Sequence, residues 1–146
     1  MDAEIRELQP GEAALAAAAL LELRPAFGDE ATLAGRAEAQ RAGGYRIVAV
    51  FEPGERVAAA AAGFRVSENL PWGRHLYVDD LSTRARSRGK GHGARLMSWL
   101  TEAARREGCA ELHLDSGVVP ERESAHRLYF GHRMRISAYH FSRDLS

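Results

Sequence analysis

Apolar and polar residues follow two different periods along this chain, and each period predicts one type of element. Apolar residues spaced by three and four predict helices, and strict alternation predicts strands. Asp29 is a typical helix N-cap, and Gly108 stands where a helix C-terminus is expected. In chain order the patterns predict a strand at 3–8, helices at 13–23 and 30–40, strands at 45–51, 56–66 and 75–81, a helix ending near 107, a strand at 111–116, a helix at 120–131 and one or two closing strands in 134–145.

The order of these elements predicts the fold class. The turn at 52–55 joins two strands as an antiparallel hairpin, whereas the helix between the strands at 75–81 and 111–116 makes those two strands parallel. A mixed sheet with helices on both faces follows, which is an α/β (α+β) architecture with a central βαβ unit. Because 146 residues fit one domain, we expect residues 1–146 to form it.

Composition and charge narrow the function classes. Apolar residues make up 45% of the chain, and 20 basic residues balance 20 acidic ones, which argues against a general polyanion binder. No apolar run is long enough to cross a membrane, and the acidic start at Asp2 and Glu4 is not typical of a secretion signal. We therefore expect a cytoplasmic protein. The single cysteine, Cys109, excludes an internal disulfide, and the histidines lack metal-ligand spacing, so we expect no metal.

A basic, glycine-rich segment, Arg88–Gly93, lies between a predicted strand and a predicted helix. Its three glycines let the backbone turn sharply and expose its N–H groups, and the helix N-terminus adds unpaired donors. Arg86, Arg88 and Lys90 add positive charge. This combination is typical of a phosphate site and fits a pyrophosphate. The alternative is an exposed loop whose glycines only aid turning.

Two adjacent carboxylates, Asp79 and Asp80, end a predicted strand. Strict alternation puts Asp80 on the face of Leu76 and Val78, and Asp79 on the opposite face. A local bulge would instead bring both carboxylates into one pocket. A buried carboxylate is costly unless it is paired, so the two residues indicate a polar opening in the sheet. The alternative is a pair of salt-bridge partners for nearby arginines.

The pattern Arg88-x-x-Gly91-x-Gly93, after a strand ending in DDLST, resembles the acyl-CoA loop of the GNAT superfamily of N-acyltransferases. The resemblance continues to Ala125-x-x-x-Tyr129 and covers roughly residues 75–134, while the first 74 residues agree only in the order of elements. It implies a GNAT-like, mostly antiparallel sheet. Residues 1–74 would form the acceptor-side half and residues 75–146 the acetyl-CoA-binding half.

The resemblance implies acetyl-CoA as co-substrate. In the family the loop amides bind the pyrophosphate of CoA, and the end of the preceding strand pairs with the pantetheine arm. The cofactor-binding residues implied here are Leu81, Ser82, Thr83, Arg88, Gly89, Lys90, Gly91, His92, Gly93 and Ala94.

Three catalytic residues are also implied by the resemblance. Asp79 would act as the base through water and Asp80 would anchor the amine, although these two roles can be exchanged. Tyr129 matches the family tyrosine that faces the CoA sulfur as an acid or hydrogen-bond donor; the alternative is a tyrosine packed in the core. The sequence departs from the family at Arg133, where a glycine is common, so the turn behind Tyr129 must be built differently.

The implied function is an N-acetyltransferase that moves an acetyl group from acetyl-CoA to a primary amine by direct attack on the thioester. The acidic pair favours a small cationic amine, and the two N-terminal helices and the loop at 68–72 are candidates for its pocket. The alternatives are a non-catalytic acyl-CoA-binding regulator and a nucleic-acid-binding module that would use the basic segment at 84–90. We expect no nucleic-acid or membrane partner. Because GNAT proteins often dimerise through terminal strands, the resemblance leaves a homodimer open.

Overall fold

A computed structural model describes residues 2–146 in two compact units, one that extends to Leu114 and one from Asp115 to Ser146. The strands are β1 (Glu4–Glu7), β2 (Arg46–Phe51), β3 (Ala60–Asn69), β4 (Gly73–Thr83) and β5 (Glu111–Leu114). The helices are α1 (Ala17–Leu23), α2 (Glu30–Gln40), α3 (His92–Arg106) and α4 (Glu123–Gly131). Short 3-10 segments occupy 13–16, 25–27, 41–43, 85–87 and 120–122.

The first unit is built on one five-stranded sheet whose spatial order follows the chain, from β1 to β5. The strands β1 to β4 pair antiparallel, and β4 and β5 pair parallel with α3 as the connection between them. The predicted mixed, mostly antiparallel sheet with its βαβ unit is therefore confirmed. The parallel pairing is short, because it joins only His75–Val78 of β4 to Glu111–Leu114 of β5.

Alternate residues of the strands face two helical layers. Ile47, Ala49 and Ala61 are buried in one cluster with alanines and leucines of the α1 and α2 segments. On the opposite face Phe64 is fully buried, and its ring meets Trp99 of α3 with 5.7 Å between centroids. The predicted helices on both faces of the sheet follow from this alternation. Because the strands are buried on both faces, they read as nearly continuous apolar runs in the sequence.

Helix and strand boundaries differ from the prediction mainly around the turn between β3 and β4. Residues 67–69 and 73–74, expected to lie in a loop, extend the two strands, and only 70–72 forms the turn. The side chain of Asn69 closes this turn by accepting a hydrogen bond from the Trp72 amide at 2.8 Å. Gly73 restarts the strand at a φ of 63°, a left-handed conformation that suits glycine.

The second unit contains α4 and no strand among its residues, 115–146. The closing strands expected in 134–145 are therefore wrong for this structure. The physical reason is that alternation makes a strand only when a neighbouring strand supplies hydrogen-bond partners. In their absence Ile136, Tyr139 and Phe141 are largely exposed, at 78%, 88% and 92% of their surface. Within residues 2–146, no helix combines the length and apolar character needed to cross a membrane.

Candidate active site

A β-bulge in β4 decides where the acidic pair points. Gly63 of β3 is opposite Asp80, but the next residue, Phe64, is opposite Val78, so Asp79 is the extra residue on β4. The strict alternation expected for this strand fails at that point. Both carboxylates line one pocket beside α1 and α2, as the bulge alternative expected.

Asp80 is held by two donors. Its Oδ1 atom accepts a hydrogen bond from Arg24 Nε at 2.9 Å, and its Oδ2 atom accepts one from the Tyr45 hydroxyl at 2.7 Å. Burial and the neighbouring Asp80 charge keep the pKa of Tyr45 far above its usual value, so the hydroxyl stays protonated and donates. Both carboxylate oxygens of Asp80 are thus occupied within the protein.

Asp79 has a different arrangement. Its Oδ2 atom accepts a hydrogen bond from Arg65 Nε at 2.8 Å, and its side chain is 27% exposed, against 15% for Asp80. Among residues 2–146 no hydrogen bond reaches its Oδ1 atom. The arginine partners expected under the structural alternative are therefore present for both acids, but Asp79 keeps one oxygen open.

Gly63 allows this arrangement to form. A Cβ atom at this position would lie 1.8 Å from the Tyr45 hydroxyl oxygen and 2.4 Å from Cζ of the same ring. The ring therefore lies directly on the glycine backbone, and the Arg65 guanidinium covers the ring at 5.2 Å from its centroid. A glycine inside a strand commonly indicates such a close approach.

The pocket that contains the acidic pair has a volume of about 260 Å³. This is slightly below the range of about 300–1,000 Å³ that holds drug-sized ligands, so a small metabolite fits best. Its lining comes from the α1 and α2 region and from the strands: Leu20, Arg24, Phe27, Leu33, Arg36, Ala37, Gln40, Tyr45, Asp79 and Asp80. The loop at 68–72 does not contribute to it. Instead, Trp72 stacks on His113 with 3.7 Å between ring centroids.

The glycine-rich loop leads directly into α3. Gly89 and Gly91 have φ values of 81° and 83°, which other residues rarely adopt, and no atom lies within 4 Å of where their Cβ atoms would be. Gly91 is the N-cap of α3 and gives it no side-chain cap. The first amides of this 15-residue helix therefore receive no hydrogen bond from an N-cap side chain.

The carboxylate of Glu52, the residue that follows β2, binds side chains of this loop and of the segment just before it. Its Oε1 atom accepts from the Ser87 hydroxyl at 3.0 Å, and its Oε2 atom lies 2.9 Å from Lys90 Nζ and 3.1 Å from His92 Nε2. Hydrogen bonds from Lys90, His92 and Ser87 lower the pKa of Glu52 to about 2. The ring of His92 is buried, and its Nδ1 atom has no hydrogen-bond partner in the described part of the chain.

The end of β4 is the third feature of the site. Pairing with β5 stops at Val78, so the edge of β4 that faces β5 is free of strand partners from Asp79 to Thr83. Backbone groups at such an edge can pair with an extended ligand. The three residues expected to contact the pantetheine arm, Leu81 to Thr83, lie in this stretch.

A family model described as the acetyltransferase (GNAT) family matches residues 14–132. The chain belongs to this family. A relative described as an uncharacterized N-acetyltransferase, YhdJ of Bacillus subtilis (strain 168), is 36% identical over 85 residues. That match covers 58% of this chain and 57% of the relative, so the chain spans little more than half of the length of the curated protein it matches.

Solved GNAT structures share the fold. An acetyltransferase of Trypanosoma brucei superposes with a TM-score of 0.79 at 22% identity, covering 99% of this chain and 100% of that one. An aminoglycoside acetyltransferase from a soil metagenomic sample has a TM-score of 0.79 at 23% identity, with 100% of both chains covered. The aminoglycoside N-acetyltransferase AAC(6')-Iy, solved in complex with CoA, has a TM-score of 0.79 at 17% identity, covering 99% of this chain and 95% of that one.

Tyr129, the third residue that the GNAT resemblance suggested, is the buried residue of α4 in the second unit. Burial raises the pKa of its hydroxyl, and the neighbouring Arg122 partly offsets the rise. Arg133, which departs from the family pattern, adopts a φ of 64°. Among residues 2–146, no other non-glycine residue has a positive φ. The turn thus keeps the conformation that a glycine would adopt, with an arginine in it.

Sequence reasoning missed several residues of this GNAT site. Arg24 and Arg65 gave no signal, because an arginine near a predicted helix end or strand says nothing about its partner. Gly63 inside a strand was the available signal for the ring of Tyr45. Glu52 was assigned only to a turn. The basic segment is also partly neutralised: Arg86 lies 3.5 Å from Glu55 and Arg88 lies 3.6 Å from Glu22. This pairing argues against the nucleic-acid alternative.

Proposed function

We propose that this GNAT protein transfers an acetyl group from acetyl-CoA to the primary amine of a small molecule, which is bound as a cationic ammonium beside Asp79. The observation that supports this most directly is the bulge in β4. It places Asp79, whose Oδ1 atom accepts no hydrogen bond among residues 2–146, in the lining of the pocket, and on the same strand the edge free of β5 begins. Acceptor and cofactor features thus meet at one residue.

The residues of the loop fit acetyl-CoA. The amides from Arg88 to Ala94, the left-handed glycines and the uncapped start of α3 would hold the pyrophosphate. Backbone groups of Leu81, Ser82 and Thr83 would pair with the pantetheine amides. When bound, acetyl-CoA supplies the thioester that the amine attacks directly.

The chain's own residues would handle the protons. The amine attacks only when neutral, so Asp79 would take a proton from the ammonium, directly or through one water. Asp80 is already fixed by Arg24 and Tyr45, so it would anchor the pocket wall and the backbone beside the amine. The sulfur that leaves would need a proton, and the GNAT resemblance assigns this role to Tyr129.

The cofactor assignment is tested by calorimetry with acetyl-CoA. We expect wild-type protein to bind and Gly91→Glu to lose binding, because the new carboxylate fills the loop and repels the pyrophosphate. Gly108→Glu is the matched control, since Gly108 also has a positive φ and open surroundings but lies at the far end of α3. Wild-type protein that fails to bind acetyl-CoA would contradict the proposal.

The role of Asp79 is tested by rates on a panel of primary amines. We expect Asp79→Asn to lower kcat by about 10²- to 10⁴-fold, which is the usual contribution of a general base. The remaining activity should increase with pH, as more of the amine becomes neutral without help. Full activity of Asp79→Asn at neutral pH would remove Asp79 from the chemistry.

A second candidate is a regulator that binds acyl-CoA without turnover. The observation in its favour is that each of the two carboxylates already has an arginine partner, Arg65 for Asp79 and Arg24 for Asp80. Acetyl-CoA binding without acetylation of any amine in the panel would support it over the enzyme.

A further inference from the structure

The acidic pair and its arginine partners give the pocket no net negative charge. Asp79 and Asp80 each accept a hydrogen bond from one arginine, at 2.8 Å from Arg65 and 2.9 Å from Arg24. These four side chains therefore cancel in charge. A pocket of this kind has no net negative charge with which to select a polyamine over other amines.

A fifth charged group, Arg36, gives the pocket a net positive charge. It lies on α2, lines the pocket and is exposed. Within residues 2–146 it has no salt bridge and no hydrogen bond. Its guanidinium presents up to five donors in a planar arrangement that matches the two oxygens of a carboxylate.

Arg24 adds a second, weaker donor. Its Nε and Nη2 atoms are engaged by Asp80 and by the Asp79 carbonyl oxygen, at 2.9 Å each. Among the described residues its Nη1 atom has no hydrogen bond, and the side chain is 49% exposed. Two arginines thus offer donors to the pocket while one carboxylate oxygen, on Asp79, is open.

The rest of the lining is mainly apolar, from Leu20, Phe27, Leu33 and Ala37. Such walls bind a hydrocarbon side chain and gain from removing it from water. A pocket of about 260 Å³ limits that side chain to a small one.

We infer that the acceptor is an amino acid with an apolar side chain, whose carboxylate is held by Arg36 while its ammonium faces Asp79. This inference rests on the proposed function and names its substrate class. It predicts a preference that a simple cationic amine would not show, because removal of the carboxylate leaves Arg36 without its partner.

The test compares amino acids with their decarboxylated counterparts: leucine with isoamylamine, and valine with isobutylamine. We expect wild-type protein to acetylate each amino acid with a kcat/KM about 10- to 100-fold higher than its counterpart, as expected for a charge-assisted contact. Arg36→Gln should raise the KM for the amino acid and so remove this preference. Arg36→Glu should reverse it and favour putrescine.

Arg56→Gln is the matched control, because Arg56 is also exposed, has no ion pair among residues 2–146 and does not line the pocket. Equal rates with amino acid and amine in the wild type, or an equal loss of both in Arg36→Gln, would overturn the inference. Calorimetric titration of leucine into protein saturated with CoA distinguishes a failure of this inference from a failure of the proposed function. Leucine binding that depends on Arg36, without acetyl transfer to any amine tested, would overturn the proposed function and keep only the assignment of Arg36 as the residue that binds the carboxylate. Acetyl transfer to the plain amines without leucine binding would overturn this inference and keep the proposed function.

Discussion

Gly63→Ala is the substitution whose outcome follows most directly from the site geometry. The new Cβ atom would lie 1.8 Å from the Tyr45 hydroxyl oxygen, and an ordinary contact of 3.4 Å requires that oxygen to retreat by about 1.6 Å. Its hydrogen bond of 2.7 Å to Asp80 is then lost. A hydrogen bond to a charged group contributes about 1.5–3 kcal/mol, and overpacking costs about 1–3 kcal/mol. Alanine returns about 0.5–1 kcal/mol through lower backbone entropy in the unfolded chain.

The net expectation is a loss of about 1.5–5.5 kcal/mol in the free energy of unfolding, measured by urea titration with tryptophan fluorescence. Gly35→Ala is the matched control, because Gly35 lies inside α2 with nothing within 4 Å of its Cβ position. There the same change should stabilise the protein by about 0.5–1 kcal/mol.

A double-mutant cycle decides whether the tyrosine ring is the cause. In a Tyr45→Ala background the ring is absent, so Gly63→Ala should cost less than about 0.5 kcal/mol. The reasoning is refuted if Gly63→Ala costs the same in both backgrounds, or if it leaves the wild-type stability unchanged.

Two further predictions concern the turn behind α4 and the phosphate loop. Arg133→Gly should raise the free energy of unfolding by up to about 1 kcal/mol, because arginine is strained at a φ of 64°; a lower stability would show that the arginine side chain contributes more than its backbone costs. Glu52→Gln should raise the KM for acetyl-CoA several-fold with little change in kcat, since Lys90 and His92 lose the carboxylate that positions them. The lowered pKa of Glu52 means that its stabilising effect is complete above its ordinary pKa of 4.5 and is lost as the pH falls towards 2. Acid titration of the unfolding free energy should therefore show a wild-type advantage over Glu52→Gln that disappears in this range, and a constant difference would contradict the assignment.

Local sequence patterns predicted much of the fold. The Asp29 side chain accepts a hydrogen bond from the Thr32 amide at 2.7 Å, as a helix N-cap does. The apolar positions of α3 are buried where the helical period predicted. The closing strands were wrong because period alone does not supply a pairing partner. The resemblance to the GNAT family could be recognised in the sequence because the residues of its loop form a contiguous motif.

The chemistry of the pocket was less accessible, because it depends on contacts between residues far apart in the chain. Asp80 accepts hydrogen bonds from Arg24, which is 56 positions away in the sequence, and from Tyr45, which is 35 positions away. The bulge that turns Asp79 towards the pocket depends on how β3 and β4 pair, which no residue in β4 specifies by itself. The sequence therefore identified the acidic pair and left arginine partners open as an alternative, while the identity of those arginines, Arg24 and Arg65, required the three-dimensional structure.

The ion pair between Lys90 and Glu52 has a practical consequence, because Lys90 is the single lysine among 146 residues. Apart from the α-amino group, amine-reactive reagents therefore have one target in this chain, and it lies in the phosphate loop. The mass increment on the peptide that contains Lys90 reports the reactivity of this half-exposed ammonium while it is paired with Glu52. Acetylation of Lys90 would remove the positive charge that Glu52 binds.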